Sequence, residues 1–223
     1  MAPAPARAAR LEGDGITETV EGGTRLLVPA ASLADAAPPR EPAFYNPRAR
    51  RNRDVSVLAC AAVARERGGE ALVLEGLSGM GARGIRVANE SGPSVRAVLN
   101  DINAAALGLA ARSAALNGCD GRVETSSEEA CRFLSARSRG GERGLLVDVD
   151  PFGSPSRYLD CAIRATAHGG ILSVTATDLQ VLHGLFPGAC ARHYGGVPIR
   201  RTRARRPCAS SPAAPWPSGP ASA

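Results

Sequence analysis

From residue 71 onward, short apolar runs alternate with longer stretches in which apolar residues recur at helical spacing. ALVLE, VRAVLN, GRVET, GLLVDVD and ILSVTAT have the length and β-branched content of strands. RGIRVANE, NAAALGLAARSAALN, SEEACRFLSAR and PSRYLDCAIRATA read as the helices between them. Alternation of this kind predicts parallel strands joined by right-handed crossovers, a doubly wound α/β sheet with helices on both faces. Ahead of it, ITETVEGGTRLLVP places two short strands around Gly22-Gly23, a β-hairpin arm. A Pro/Ala-rich linker, ASLADAAPPREPA, follows. From Asn52 the pattern turns helical, with Val55, Leu58, Ala62 and Val63 as its apolar positions and Arg67-Gly68-Gly69 as its stop.

At 223 residues the chain suits one domain with a sizeable core. No apolar run approaches the roughly 18 residues of a membrane span, and MAPAPARAAR lacks the apolar centre of a signal peptide, so a cytosolic, cytoplasmic protein is expected. Cys60, Cys119, Cys131, Cys161, Cys190 and Cys208 are widely spaced, with no C-x-x-C and no neighbouring histidine pair. The spacing argues against a metal site and for reduced, packed thiols. The net charge of +6 is uneven. All 27 basic residues are Arg, and residues 1–178 are neutral as a whole, so the excess lies beyond them. A local cluster, Arg48, Arg50, Arg51 and Arg53, is either an RNA-phosphate contact or a solvated turn.

Gly79, Gly81 and Gly84 spell G-x-G-x-x-G directly behind the first strand of the sheet. Such a turn lets backbone N–H groups approach a ligand closely, and Asp101 in VLNDIN sits where an acid should bind a ribose. A dinucleotide loop, however, has no use for Glu75 beside a pyrophosphate, since like charges repel. Ligands of doubly wound sheets gather at the carboxyl ends of strands, where Glu75, Asp101, Asp148, Asp150 and Asp178 fall.

Asp150-Pro151-Phe152 ends the fourth strand of that sheet. It supplies what methylation of a base amine needs. The amine lone pair is delocalised into the ring, and acceptors for its two N–H groups, the Asp150 carboxylate and a nearby carbonyl, aim it at an incoming methyl. Phe152 can stack on the base. A plain turn after a strand is the alternative.

Together, EGG at Glu21, FYNP with NRD (44–47 and 52–54), LSGMGARGIR, NDIN, DVDPFGSP, TATDLQVLHG and HYGGVPIR resemble the tRNA guanine-26 N2-dimethyltransferase family over about residues 16–200. The resemblance implies a class I Rossmann-like methyltransferase fold and S-adenosylmethionine, rather than a dinucleotide, on the glycine loop at Gly79 and Gly81. It implies tRNA as substrate, no metal and a monomer. Carried over by position, Arg53 and Arg86 pair with the cofactor carboxylate, Asp101 takes the ribose, and Glu129-Ala130, an Asp-Ala in the family, takes the adenine amine. Glu75 holds the loop, Asp150, Pro151 and Phe152 bind the base, and Arg48, Arg50 and Arg51 hold RNA. The domain boundaries expected are an arm over 1–50, a methyltransferase domain over 51–200 that is incomplete at the C-terminal edge of its sheet, and a disordered Arg/Pro/Ala/Ser tail over 201–223. The tail departs from the family, as a shifted reading frame would. Rival readings are an amino-methyltransferase acting on another base of RNA or DNA, and a non-catalytic remnant.

Overall fold

The structure is a computed structural model that describes residues 15–196, in two compact units divided after Leu179. Residues 1–14 and the tail over 201–223 lie outside the described residues.

The first unit opens with the hairpin, β1 (Ile16–Glu21) and β2 (Thr24–Pro29), antiparallel with Glu21 opposite Thr24. A short α1 (Ala31–Ala34) and an irregular segment lead to a 3-10 turn at Pro47–Ala49 and to α2 (Arg50–Arg67). Then come β3 (Ala71–Glu75), α3 (Ala82–Glu90), β4 (Val95–Asn100), α4 (Ala104–Leu116), β5 (Val123–Ser126) and α5 (Ala130–Arg139). β6 (Gly144–Val149), α6 (Leu159–Ala165) and β7 (Thr166–Val174) follow. Five strands form one parallel sheet in the order β5-β4-β3-β6-β7. The second unit contributes α8 (Pro187–Tyr194), and α7 (Leu179–Leu182) lies at the boundary.

The two-residue period of the strands sorts the core into two layers. Val73, Ala97, Leu99 and Leu146 face a cluster built with α2, α3, α4 and the hairpin. Leu74, Val98, Val147 and Val149 face Phe133, Leu134 and Ala162 of α5 and α6. α3 is buried almost throughout, from Ala82 to Ala88. Its entry requires glycine: Gly81 has φ +70°, and a Cβ there would sit 2.4 Å from Leu99 Cδ1 and 3.2 Å from Ala110 Cβ.

Four expectations are corrected. The α2 helix exists, but its buried face is Arg53, Ser56, Val57, Cys60 and Ala64, while Val55 and Leu58 are 65% and 71% exposed. Polar partners on α3 and the hairpin turned the helix over. Asp54, which after Asn52-Arg53 reads in the sequence as a candidate helix N-cap, instead lies inside α2 and pairs with Arg86. The strand expected over 171–177 starts at Thr166, where α6 ends, and makes a register shift against Gly144 and Leu146. Finally, Cys131 and Cys161 form a disulfide, Cα to Cα 5.4 Å, because the packing of α5 on α6 closes a separation of 30 residues. Cys60, Cys119 and Cys190 are free and buried, and Cys208 lies outside the described residues. Among the described residues no helix is long and apolar enough to cross a membrane.

Two glycine replacements separate backbone strain from helix propensity. Gly81→Ala meets both a positive φ and a filled core, and is expected to cost about 1–3 kcal/mol. Gly108→Ala, exposed in α4 with nothing within 4 Å of the new methyl, is expected to add about 0.5–1 kcal/mol. Urea denaturation of both variants checks the pair of signs.

Candidate functional site

Parity fixes the acids. Glu75 lies on the same face of β3 as Val73, and Asp148 and Asp150 on the face of Leu146, so all three carboxylates point toward the layer of α2 and α3. The parallel register sets Glu75 directly beside Asp148. Both are 2% exposed. The cation between them is Arg83, in the first turn of α3 and itself buried. Its Nε lies 3.5 Å from Glu75 Oε1 and 3.2 Å from Asp148 Oδ2, and its Nη2 is 3.4 Å from Asp150 Oδ2. Arg83 Nη1 donates to Asn52 Oδ1 at 2.7 Å and to Ser56 Oγ at 2.6 Å on α2. One guanidinium among three carboxylates leaves negative charge in excess. Burial, then the Asp148 charge, push the Glu75 carboxyl up to about 8 against the pull of Arg83. Burial likewise pushes Asp148 up to about 6. Asp150 is raised by burial, while Arg83, Arg53 and Thr175 pull it back. In the sequence Arg83 reads as one more helical arginine.

The glycine loop crosses the ends of β3 and β4. Gly79 N–H donates to Asp101 Oδ2 at 2.7 Å, and Asn103 N–H to Asp101 Oδ1 at 2.9 Å, so the part-exposed Asp101 carboxylate is held from both sides. Fully buried Asn100 donates to the carbonyls of Gly76 and Glu128 and accepts from Glu128 N–H, which ties the first loop to the one before α5. At the start of α5, Glu129 Oε2 accepts from Arg132 N–H, so this residue caps the helix, with Ala130 buried behind it.

Arg53 and Arg86 are brought together, but around a carboxylate of the chain's own. Glu21, at the end of β1 and 2% exposed, accepts from Arg53 Nε at 2.7 Å and Nη2 at 2.6 Å, from Arg86 Nη1 at 2.8 Å and from Tyr45 Oη at 2.8 Å. Burial opposes the Glu21 charge, yet these donors, Arg53 foremost, hold the carboxyl below its usual range. Arg86 also donates to Asp54 and to both oxygens of Glu90. Its donors all go to carboxylates on the hairpin side, whereas Arg83 is the one that reaches the strand ends.

Pro151 is buried and Phe152 is 59% exposed. The Phe152 ring meets Phe44 edge to face, centroids 5.1 Å apart, with the Arg40 guanidinium 4.3 Å over it. Arg48, Arg50 and Arg51 are exposed around the first turn of α2, and Arg50 reaches Asp54 only at 3.9 Å. No group of three or more His, Cys, Asp or Glu among the described residues could hold a metal ion.

The chain is similar to a set of known proteins. The family model of N2,N2-dimethylguanosine tRNA methyltransferases matches residues 22–205. The tRNA (guanine(26)-N(2))-dimethyltransferase of Pyrobaculum calidifontis is 41% identical over 161 residues, 72% of this chain and 43% of that protein. The enzyme of the same name from Thermococcus kodakarensis is 40% identical over 193 residues, 81% of this chain and 48% of its own. The solved structure of Pyrococcus horikoshii Trm1 with S-adenosyl-L-methionine superposes with a TM-score of 0.67 at 35% identity, over 82% of this chain and 48% of that one. The chain thus spans about half the length of the relatives it matches.

The buried acids make stability depend on pH. The unfolded chain releases the Glu75 proton near 4.5 and the folded chain near 8, so in between the folded state holds more protons. Stability is therefore expected to be full below pH 4.5 as far as this group is concerned, and to fall as pH rises toward 8. Glu75→Gln should flatten that fall and be more stable than the parent at pH 8. Urea midpoints from pH 5 to 8 read it directly, and identical slopes would show that Glu75 is not the group responsible.

Proposed function

The chain belongs to the N2,N2-dimethylguanosine tRNA methyltransferase family, and we propose that it transfers methyl groups from S-adenosylmethionine to the exocyclic amine of guanosine 26 in cytosolic tRNA. The observation that carries the reading is a juxtaposition in one unit. A glycine loop braced by Asp101 lies at the β3 and β4 ends, and Asp150 with the Phe152–Phe44 pair lies at the neighbouring β6 end.

The residues fit the cofactor. Asp101 is fixed by two backbone N–H groups while remaining part exposed, which suits a ribose diol. Gly79, with φ +54°, keeps the loop free of side chain. Glu129 and Ala130 stand at the α5 terminus for the adenine edge. The excess carboxylate charge around Arg83 suits a ligand carrying an ammonium and a sulfonium. Of Arg53 and Arg86, Arg53 is the one whose charge bears on Asp150 and is the candidate for the ligand carboxylate, and Arg86 acts behind it by sharing Glu21.

When bound, the cofactor supplies an electrophilic methyl for in-line displacement. The rest falls to the chain. Phe152 and Phe44 offer aromatic surface to the guanine, Asp150 accepts an N–H of its amine, and the backbone carbonyl of Asp150 or of Pro151 accepts the other, which frees the lone pair. Asp150 then receives the proton that the methylated nitrogen sheds. Arg48, Arg50 and Arg51 hold tRNA by phosphate and carry no sequence information.

Asp101→Ala is expected to weaken S-adenosylmethionine binding at least tenfold by calorimetry, since hydrogen bonds to a charged group are each worth about 1.5–3 kcal/mol. Asp150→Asn should leave that affinity alone and cut tritiated methyl transfer to a tRNA transcript by orders of magnitude. Equal labelling of transcripts with guanosine or adenosine at position 26 would overturn the guanine assignment.

A further inference from the structure

Arg83 is the least expected member of the site and the most connected. It is 6% exposed, and its fork is spread over five partners on three elements: Asn52 and Ser56 of α2, Glu75 of β3, and Asp148 and Asp150 at the end of β6. Two of these partners, Asn52 and Ser56, are neutral and lie within hydrogen-bond distance, so they fix the guanidinium without neutralising it. Glu75 and Asp148 are inaccessible to a substrate. Asp150 is different, with its side chain 38% exposed, so it can be held by Arg83 and still accept from something outside.

From this geometry we infer that Arg83 is a positioning residue for the reaction: anchored by Asn52 and Ser56, it holds one oxygen of Asp150 and keeps that carboxylate charged and in place for the substrate amine. The inference rests on the base-binding reading of Asp150 given above. It links the three segments NRD, GARGIR and DVDPF, since Asn52 holds Arg83 and Arg83 holds Asp150. The charged groups that bear on Asp150 are Arg83 from α3, Arg53 from α2, Asp148 from its own strand and Glu75 from β3, with the Thr175 hydroxyl beside them. Of these, the two arginines and the Thr175 hydroxyl favour the anion. Arg83 has the nearer partnership of the two, since Arg53 spends two of its donors on Glu21.

Replacing Arg83 alone would strand buried carboxylates, and such a chain can fail to fold. The variant to use is Arg83→Gln with Asp148→Asn, which removes one charge of each sign, measured against Asp148→Asn by itself. In the full 223-residue chain labelled with ¹³C at aspartate carboxyls, the resonance lost in Asp150→Asn identifies Asp150. Its titration midpoint is expected to rise by at least one pH unit, a tenfold gain in proton affinity, when Arg83 is removed, and to return when Lys replaces Arg83 in the same background. In methyl transfer, the acid limb of the kcat profile should move by the same interval while the KM for S-adenosylmethionine stays within twofold. An Asp150 midpoint that is the same with and without Arg83 overturns the inference. Unimpaired transfer by Asp150→Asn would instead remove the base-binding reading, and the carboxyl titration would still report on whether Arg83 holds Asp150.

Discussion

The structure of this sheet depends on how a parallel register disposes of charge. Pairing β3 with β6 sets Glu75 beside Asp148 in a layer that excludes water, and two adjacent buried carboxylates are tolerated only with a cation between them or a proton on one. Arg83 answers from the first turn of α3, and its position there follows from Gly81, whose left-handed backbone turns the chain directly from loop to helix. The same requirement rotates α2. Buried Ser56 and the part of Asn52 that reaches Arg83 lie on the inner side of the helix, while Val55 and Leu58 face out.

The second buried cluster works in the opposite sense. Around Glu21 the cations outnumber the anion, with Arg53, Arg86 and Tyr45 all donating to one carboxylate. Arg86 recovers its balance at the surface, through Asp54 and Glu90. Arg53 belongs to both neighbourhoods, since its charge is also felt at Asp150. α2 therefore carries residues that serve the acid-rich cluster and residues that serve the base-rich one, a turn apart on the same helix face.

Much of the fold was legible because period and punctuation agree with each other. The β3 to β6 strands, α3 and α4, and the hairpin around Gly22-Gly23 fall within a few residues of where alternation and turn chemistry put them. The strand-end acids were legible for the same reason, since a doubly wound sheet has only one edge where such residues can meet. What was not legible depends on partners distant in sequence. The apolar positions of α2 looked like its core face because nothing local shows that Arg53 and Ser56 have buried partners 27 to 32 residues away. Arg83 and Arg86 look alike in GARGIR; only the packing of α3 sends one to the strand ends and the other to the hairpin. Cys131 and Cys161 carry no spacing signature, and their bond reflects the contact of two helices.

The hairpin looks like an appendage in the linear order of the chain, yet its last residue is an interior one. Glu21 reaches Arg53 across 32 residues and Arg86 across 65, and Leu27 N–H donates to buried Ser113 of α4 across 86. The amino-terminal end of the described chain is thus a keystone set from outside. A protease cut after Glu21 would take Ile16 from the core and strip the shared carboxylate from two buried guanidiniums. Ile16 and Thr17 at the start of that six-residue strand are buried as well, so the working interior takes in both of its ends.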